Sequence, residues 1–178
     1  ALSSLFTAAT MFLQYFADDS QIAATVFWTF GDVSRASWRD IPLMASVLLP
    51  AFCLFFRRRF DFNAIDCGEE TALSLGVPAP RIRMEAMVVS SLLSAVMVSL
   101  LGVIGFVGLV CPHILRRFLG SDHRFLIPGS VMTGGFLLLA ADTAARLAFA
   151  PRTLPVSVFT AFLGAPVFLA LIARRRRP

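Results

Sequence analysis

Long apolar runs separated by short polar joints that carry arginine dominate this chain from end to end. Ala1 to Ala17 is the first run and reads as the tail of a longer helix. Asp18 to Asp40 follows as a polar and aromatic connection. Within it Ser20 is the expected cap of a short helix carrying Ile22, Val26, Phe27 and Phe30, with Gly31 as its stop. Ile41 to Phe56 is the second run, halted by Arg57, Arg58 and Arg59. Phe60 to Arg83 is the longest polar connection. Met84 to about Ile104 predicts a third span. Gly105 to Phe118 falls short of the ~20 residues a helical span needs, so it reads as an abbreviated or broken fourth crossing. Phe125 to Ala148 and Leu154 to Ala173 complete the pattern, and Arg174 to Arg177 close the chain.

The run GVIGFVGLVCPHILRR, residues 102–117, is the most informative stretch. Gly102, Gly105 and Gly108 recur every third residue, and Pro112 and His113 follow. A plain bilayer helix needs none of this punctuation. Closely spaced glycines let backbones approach or let a helix break. A break at membrane depth survives only where protein or an aqueous cavity surrounds it. The expected helix-break motif is therefore Gly102, Gly105, Gly108, Pro112 and His113, inside a multi-span transport protein.

Composition agrees with a membrane protein. Of 178 residues, 57% are hydrophobic and only 15% charged, with mean hydropathy +0.78. A soluble domain of this size would lack the polar surface to cover itself. The chain starts at Ala1 with apolar sequence and has neither an n-region nor a cleavage site, which reads as a longer protein's piece and not as a signal peptide. The 16 basic residues are all arginine, and the net charge of +5 could suit nucleic acid. Their positions at the ends of apolar runs exclude that reading, because there they mark topology. With the C-terminal arginines inside, alternation puts twelve (Arg57, Arg58, Arg59, Arg81, Arg83, Arg116, Arg117, Arg124 and Arg174 to Arg177) on that side. Four, Arg35, Arg39, Arg146 and Arg152, fall outside. The imbalance supports six crossings, the short one included.

Candidate chemistry is sparse. Cys53, Cys67 and Cys111 form no C-x-x-C, and His113 and His123 have no third ligand nearby, so no metal site is expected. No G-x-x-x-x-G-K-[ST] phosphate loop exists, so any ATP hydrolysis belongs to another subunit. Asp66 and Glu69 have capping-box spacing ahead of a helix from about Cys67 to Leu75, with Gly76 as its stop and Pro78 beyond. Gly68 and Ala72, four apart, give that helix a small face. Two readings stand for it: a partner-docking helix or one resting on the membrane surface. Asp142 and Arg146 are a favourable i, i+4 pair in the fifth span and a functional candidate. Arg81 and Glu85 are a similar pair with a structural role. His113 is a candidate proton relay, but a histidine beside a helix break more often bonds a freed carbonyl. Ser130 and Thr133, near Gly129, Gly134 and Gly135, read as helix-packing residues.

The ordered segments CGEETALSLGV (67–77), GVIGFVGLVCPHILRR (102–117), SDHRFLIPG (121–129), ADTAARLA (141–148) and LPVSVFTAFLGAPVF (154–168) resemble the FecCD family of binding-protein-dependent ABC importer permeases. The likeness covers nearly the whole chain. It departs at Val103, where the family usually has proline, and at Cys111, where an aliphatic residue is usual. The resemblance implies an all-α integral membrane fold, a multi-span helical bundle of the type II importer kind. Residues 1–178 would be the C-terminal portion of one transmembrane domain of ten spans, holding the fifth to tenth. Residues 60–83 would be the cytoplasmic loop that couples to the ATPase, through Gly68, Glu69, Glu70, Ala72, Leu75 and Gly76. Arg146, oriented by Asp142, would dock a solute-binding protein outside. The translocation path would pass Thr7, Thr10, Met11 and Gln14.

The function so implied is inward movement of an iron chelate, haem or cobalamin across a bacterial or archaeal inner membrane, with the C-terminus cytoplasmic. The chain itself would be no enzyme and bind no cofactor, ATP–Mg being held by the partner ATPase. Other partners would be the solute-binding protein, a second permease copy and membrane lipid, but no nucleic acid. The rival from another class is an ion- or proton-coupled secondary transporter using Asp142 or His113. An intramembrane hydrolase built on a serine and His113 lacks a nucleophile motif. A scaffold without transport gives no reason for the glycine-broken crossing.

Overall fold

The computed structural model describes residues 2–148 and 154–175, and every described element is helical apart from one isolated parallel bridge between Phe30 and Val103. In chain order the helices are α1 (Leu2–Tyr15), α2 (Asp19–Thr29), a single 3-10 turn (Val33–Arg35) and α3 (Asp40–Arg57). Then come α4 (Arg59–Asp66), α5 (Glu69–Ser74), α6 (Ala79–Leu101), α7 (Val107–Leu119), α8 (His123–Ala148) and α9 (Val156–Arg175). Helices α3, α6 and α8 are long and apolar enough to cross a membrane. Helix α7, at 13 residues, is roughly 20 Å long and cannot cross alone.

The broken crossing exists, and its break falls at the start of the expected motif and not at its proline. Helix α6 ends at Leu101; Gly102 has φ 76° and Phe106 φ 68°, and α7 begins only at Val107. Gly108, Pro112 and His113 all lie inside α7, which does not break at Pro112. Proline there forfeits one bond, to the Gly108 carbonyl, and a packed helix tolerates that loss. His113 is exposed on the helix surface, so its expected role beside a break falls away. Helix α6 starts earlier than Met84, at Ala79, because Pro78 and Pro80 suit a first turn where N–H groups have no intrahelical partner.

Helix α2 begins at Asp19 with Asp18, not Ser20, at the cap; the Asp18 N–H donates to the Gln21 side chain at 3.4 Å. The loop at 60–83 holds two helices instead of one. Asp66 is the last residue of α4, and Gly68 occupies the cap of α5, so Asp66 and Glu69 form no capping box.

Small residues set the packing between spans. Lipid tails are as apolar as leucine, so helices gain by close contact more than by leaving water. A Cβ at Gly129 would lie 3.2 Å from the Leu115 side chain, and one at Gly134 would lie 3.7 Å from Val107. Helix α8 thus presses onto α7 through Gly129 and Gly134, the neighbours of Ser130 and Thr133. Gly164 of α9 is tighter, leaving no room for a Cβ against the Phe106 side chain. Many large apolar side chains, among them Leu2, Phe6, Phe12 and Phe136, are exposed, as suits a surface facing lipid or further helices.

Candidate functional site

One end of the bundle collects arginine. The C-terminus of α3 brings Arg57, α4 follows with Arg59, α6 starts with Arg81 and Arg83, α7 ends with Arg116 and Arg117, and α8 starts with Arg124. Arg35, Arg39 and Arg146 belong to the opposite end. Arg152, Arg176 and Arg177 lie outside the described residues.

At the arginine-rich end α5 is clamped between α4 and α6. Ala72 is wholly buried with Ala64 and Ala79, and Ile65 and Val77 pack against that cluster. Only alanine-sized side chains allow three helices to meet so closely. The small face formed by Gly68 and Ala72 was a candidate contact for a partner; Ala72 instead faces inward. What α5 offers outward is Glu69, Glu70, Leu73 and Leu75, the two leucines 64% and 66% exposed. The helix ends as its sequence suggests. The Val77 N–H donates to the Ala72 carbonyl at 2.8 Å and the Gly76 N–H to Leu73 at 2.9 Å, the paired bonds of a Schellman stop. Gly76 makes this possible with φ 75°. Glu69 pairs with Arg83 at 3.1 Å and so ties α5 to α6.

A second set of ties joins α4 to the turn between α7 and α8. The Asn63 Nδ2 donates to Asp122 Oδ1 at 2.8 Å, while Asn63 Oδ1 accepts from the His123 N–H and from Nδ1, each at 2.8 Å. The Nδ1 atom therefore carries the ring proton in this arrangement. Asp122 also accepts from the Arg124 N–H at 2.9 Å and so caps α8. The Arg124 amide and then Asn63 hold the Asp122 carboxyl below the usual carboxylate range. Arg116 reaches Asp66 at 3.5 Å. Arg58 bridges Asp61 at 3.1 Å and Glu85 at 2.9 Å, tying the α3–α4 joint to α6. Glu85 thus pairs with Arg58, not with Arg81 as its spacing suggested.

Sequence reasoning missed α4, Asn63 and Asp122 as parts of this end. An aspartate just before the apolar-periodic run of α8 is a recognisable cap signal. Nothing about Asn63 distinguishes it before the fold brings it to a turn 59 positions away.

The opposite end is built by backbone contact. Gly31 and Gly102 touch so closely that a Cβ on Gly102 would sit 2.7 Å from the Trp28 carbonyl. The Asp32 N–H donates to Leu101 at 2.8 Å, and the Ser157 N–H donates to Gly31 at 3.0 Å. Arg35 closes α2, its guanidinium donating to the carbonyls of Phe27 and Trp28. Gly31 does not stop α2 by a left-handed turn; it lets the chain pass against Val103. Arg146 donates to Asp142 at 2.9 Å, the expected i, i+4 pair. Asp142 is largely shielded, whereas Arg146 is half exposed.

On α1 every residue but Gln14 is exposed, including Thr7, Thr10 and Met11. The Thr7 and Thr10 hydroxyls donate to the Ser3 and Phe6 carbonyls of their own helix. These four residues share a helix that buries nothing within the chain. Among the described residues no three potential ligands cluster as a metal site.

Comparison with known proteins bears on this architecture. The model of the FecCD transport family matches residues 1–174. A protein of Methanocaldococcus jannaschii named as an ABC transporter permease is 57% identical, over 98% of this chain and 50% of that protein. The hemin transport system permease of Yersinia pestis is 39% identical over 99% of this chain and 53% of its own length. The vitamin B12 import system permease of Klebsiella pneumoniae gives the same figures, 39%, 99% and 53%. The chain thus spans about half the length of the curated relatives it matches. A solved structure, described as an inward-facing metal-chelate type ABC transporter, aligns with TM-score 0.88 and 30% identity. It covers 97% of this chain, which covers 56% of it.

Proposed function

The chain belongs to the FecCD transport family, and from that premise we propose that it forms the C-terminal portion of a permease subunit in a binding-protein-dependent ABC importer. The observation that carries the reading is the family match over residues 1–174, joined to a fold that clamps α5 outward at one end. The solute proposed is an iron chelate, haem or cobalamin, in keeping with the hemin, vitamin B12 and metal-chelate systems among its relatives. The subunit performs no chemistry on its solute. ATP–Mg is bound and hydrolysed by a separate ATPase, and the permease pairs with a second copy of itself.

In this mechanism residues 60–83 are the cytoplasmic coupling loop, and the ATPase pushes on Gly68, Glu69, Glu70, Leu75 and Gly76. Ala72 does not touch the ATPase; it transmits the push. With Ala72 locked against Ala64 and Ala79, α5 cannot move without α4 and α6. Asn63 passes the displacement from α4 to the α7–α8 turn. The helices then rock as packed bodies, which opens the path to alternate sides of the inner membrane. Thr7, Thr10, Met11 and Gln14 line that path once the remaining spans of the full protein cover α1. The arginine-rich end, with the C-terminus, is cytoplasmic by the positive-inside rule. At the outer end Arg146, held by Asp142, receives a carboxylate of the solute-binding protein. Arg146→Glu should weaken that docking at least tenfold in a binding titration; unchanged affinity would remove Arg146 from the interface.

The test is uptake by the full-length permease in liposomes with its ATPase and binding protein. Labelled ferric siderophore, haem and cobalamin are offered in parallel. Uptake of one of them, lost without ATP or without the binding protein, is the expected result. Uptake that ignores ATP and follows an ion gradient would overturn it. No geometry favours the secondary transporter: Asp142 is committed to Arg146, and His113 lies exposed on α7.

A further inference from the structure

The arginines at the crowded end divide into two kinds. Arg58, Arg83 and Arg116 each reach a carboxylate. Among the described residues Arg59 and Arg124 reach none within ion-pair distance, yet they lie against the same ring. The Arg59 guanidinium carbon sits 4.7 Å from the centroid of Phe60 and 4.3 Å from that of Phe56, and Arg124 sits 5.6 Å from Phe60. Arg59 commits one donor to the Phe56 carbonyl at 2.8 Å, which fixes the direction of its fork. Asp122, two residues before Arg124, is occupied by Asn63 and the Arg124 amide.

Phe60 is 55% exposed, so two cations flank an apolar ring that water also reaches. The cation–π contacts account for the ring's faces but leave its exposed apolar part without a partner. This arrangement suits the boundary of a bilayer, where the ring enters the acyl region and the guanidinium groups remain at headgroup depth. The position fits: α3 ends at Arg57, and the span in α8 begins at His123, so both arginines stand where hydrocarbon gives way to headgroups. Arginine forks match phosphate oxygens two at a time.

We infer that Arg59, Phe60 and Arg124 form a binding site for the headgroup phosphate of an anionic phospholipid in the leaflet at the arginine-rich end. This rests on the membrane reading of the chain, not on its solute or on ATP. The lipid bridges the α3–α4 joint to the start of α8, beside the Asn63 tie. The singly charged phosphate of phosphatidylglycerol offers acceptor oxygens to both guanidinium groups; a zwitterionic headgroup brings its own ammonium and gains less.

The test is native mass spectrometry of the full-length permease with its ATPase, delipidated and titrated with phosphatidylglycerol or phosphatidylcholine. The wild-type complex should retain phosphatidylglycerol selectively. Arg59→Gln with Arg124→Gln should weaken that retention about 25-fold, two charges at roughly fivefold each. Phe60→Ala, which keeps the charges, should weaken it by a smaller factor. The control, Arg81→Gln with Arg117→Gln, removes as much charge from the same end and should leave retention unchanged. Equal retention of both lipids, an equal loss in the control, or displacement by inorganic phosphate would overturn the site. So would wild-type retention that appears only after the ATPase is removed, since the surface would then belong to that protein. Retention is read without transport, so a complex that binds the lipid but fails in uptake would refute the importer alone.

Discussion

Gly76 carries more of the loop than its size suggests. Its φ of 75° lets two amides return to the carbonyls of α5, and a Cβ there would meet nothing within 4 Å. Gly76→Ala therefore costs only backbone strain, about 1–2 kcal/mol. The expected result is a protein that still reaches the membrane but couples ATP hydrolysis to uptake less well, because the angle between α5 and α6 shifts. Gly76→Pro should uncouple it fully. Uptake per ATP equal to wild type in both variants would end the coupling role. Asp122 gives a pH signature at the same scale. Its folded carboxyl titrates below the usual aspartate range, because the Arg124 amide and Asn63 bond its charged form, so its contribution is fully present above the unfolded pKa and is lost as pH falls through the lowered folded value. Melting curves of wild type and Asp122→Asn should differ at neutral pH and converge in strong acid. These two residues differ in how readable they were. Gly76 announces itself by its place between a helix and Pro78. Asp122 had the pattern of a cap but gains its meaning from Asn63.

At the scale of elements, α5 has six residues and could not hold a helix alone. Packing at Ala72 makes it an element. Ala72→Leu forces a larger side chain between α4 and α6 and should cost about 1–3 kcal/mol. Thermal unfolding in detergent reads that cost, and the variant should lose ATPase binding along with it. An unchanged melting temperature would mean that α5 moves independently of its neighbours, against the push proposed here. The other instructive element is the short crossing. Its existence was readable from length and glycine content, because 13 helical residues cannot span a bilayer. The expected motif included the true break at Gly102 but ran on to Gly108, Pro112 and His113, which lie inside α7. The structure puts the break where Gly31 and Gly102 let two backbones touch, a contact between segments far apart in sequence.

Across the whole molecule, two ends have different construction. The end that carries Arg146 is held by backbone contacts, the Arg35 bonds to the α2 carbonyls and the half-exposed Arg146–Asp142 pair, the arginine-rich end by side-chain ties that link α4 to α6 and α8. Such ties suit transmission. Asn63→Leu keeps the volume close but removes the bonds to Asp122 and His123. Hydrogen bonds to a charged partner contribute about 1.5–3 kcal/mol. ATP hydrolysis should persist in this variant while uptake falls several-fold. A proportional fall in both would instead make Asn63 a residue of stability alone.

Hydrophobicity, span length and the placement of arginine are local properties, and they determine by themselves that this chain is a helical membrane protein with an interrupted crossing. The ordered motifs add its family. Tertiary structure decided which small residues face inward, where the crossing breaks, and that Asn63, Asp66, Arg116, Asp122 and His123 gather at one joint. The physical reason is range. Helix periodicity and transfer from water act over a few neighbouring residues. A buried alanine, a glycine contact or a side-chain bridge depends on what a distant segment brings to the same place.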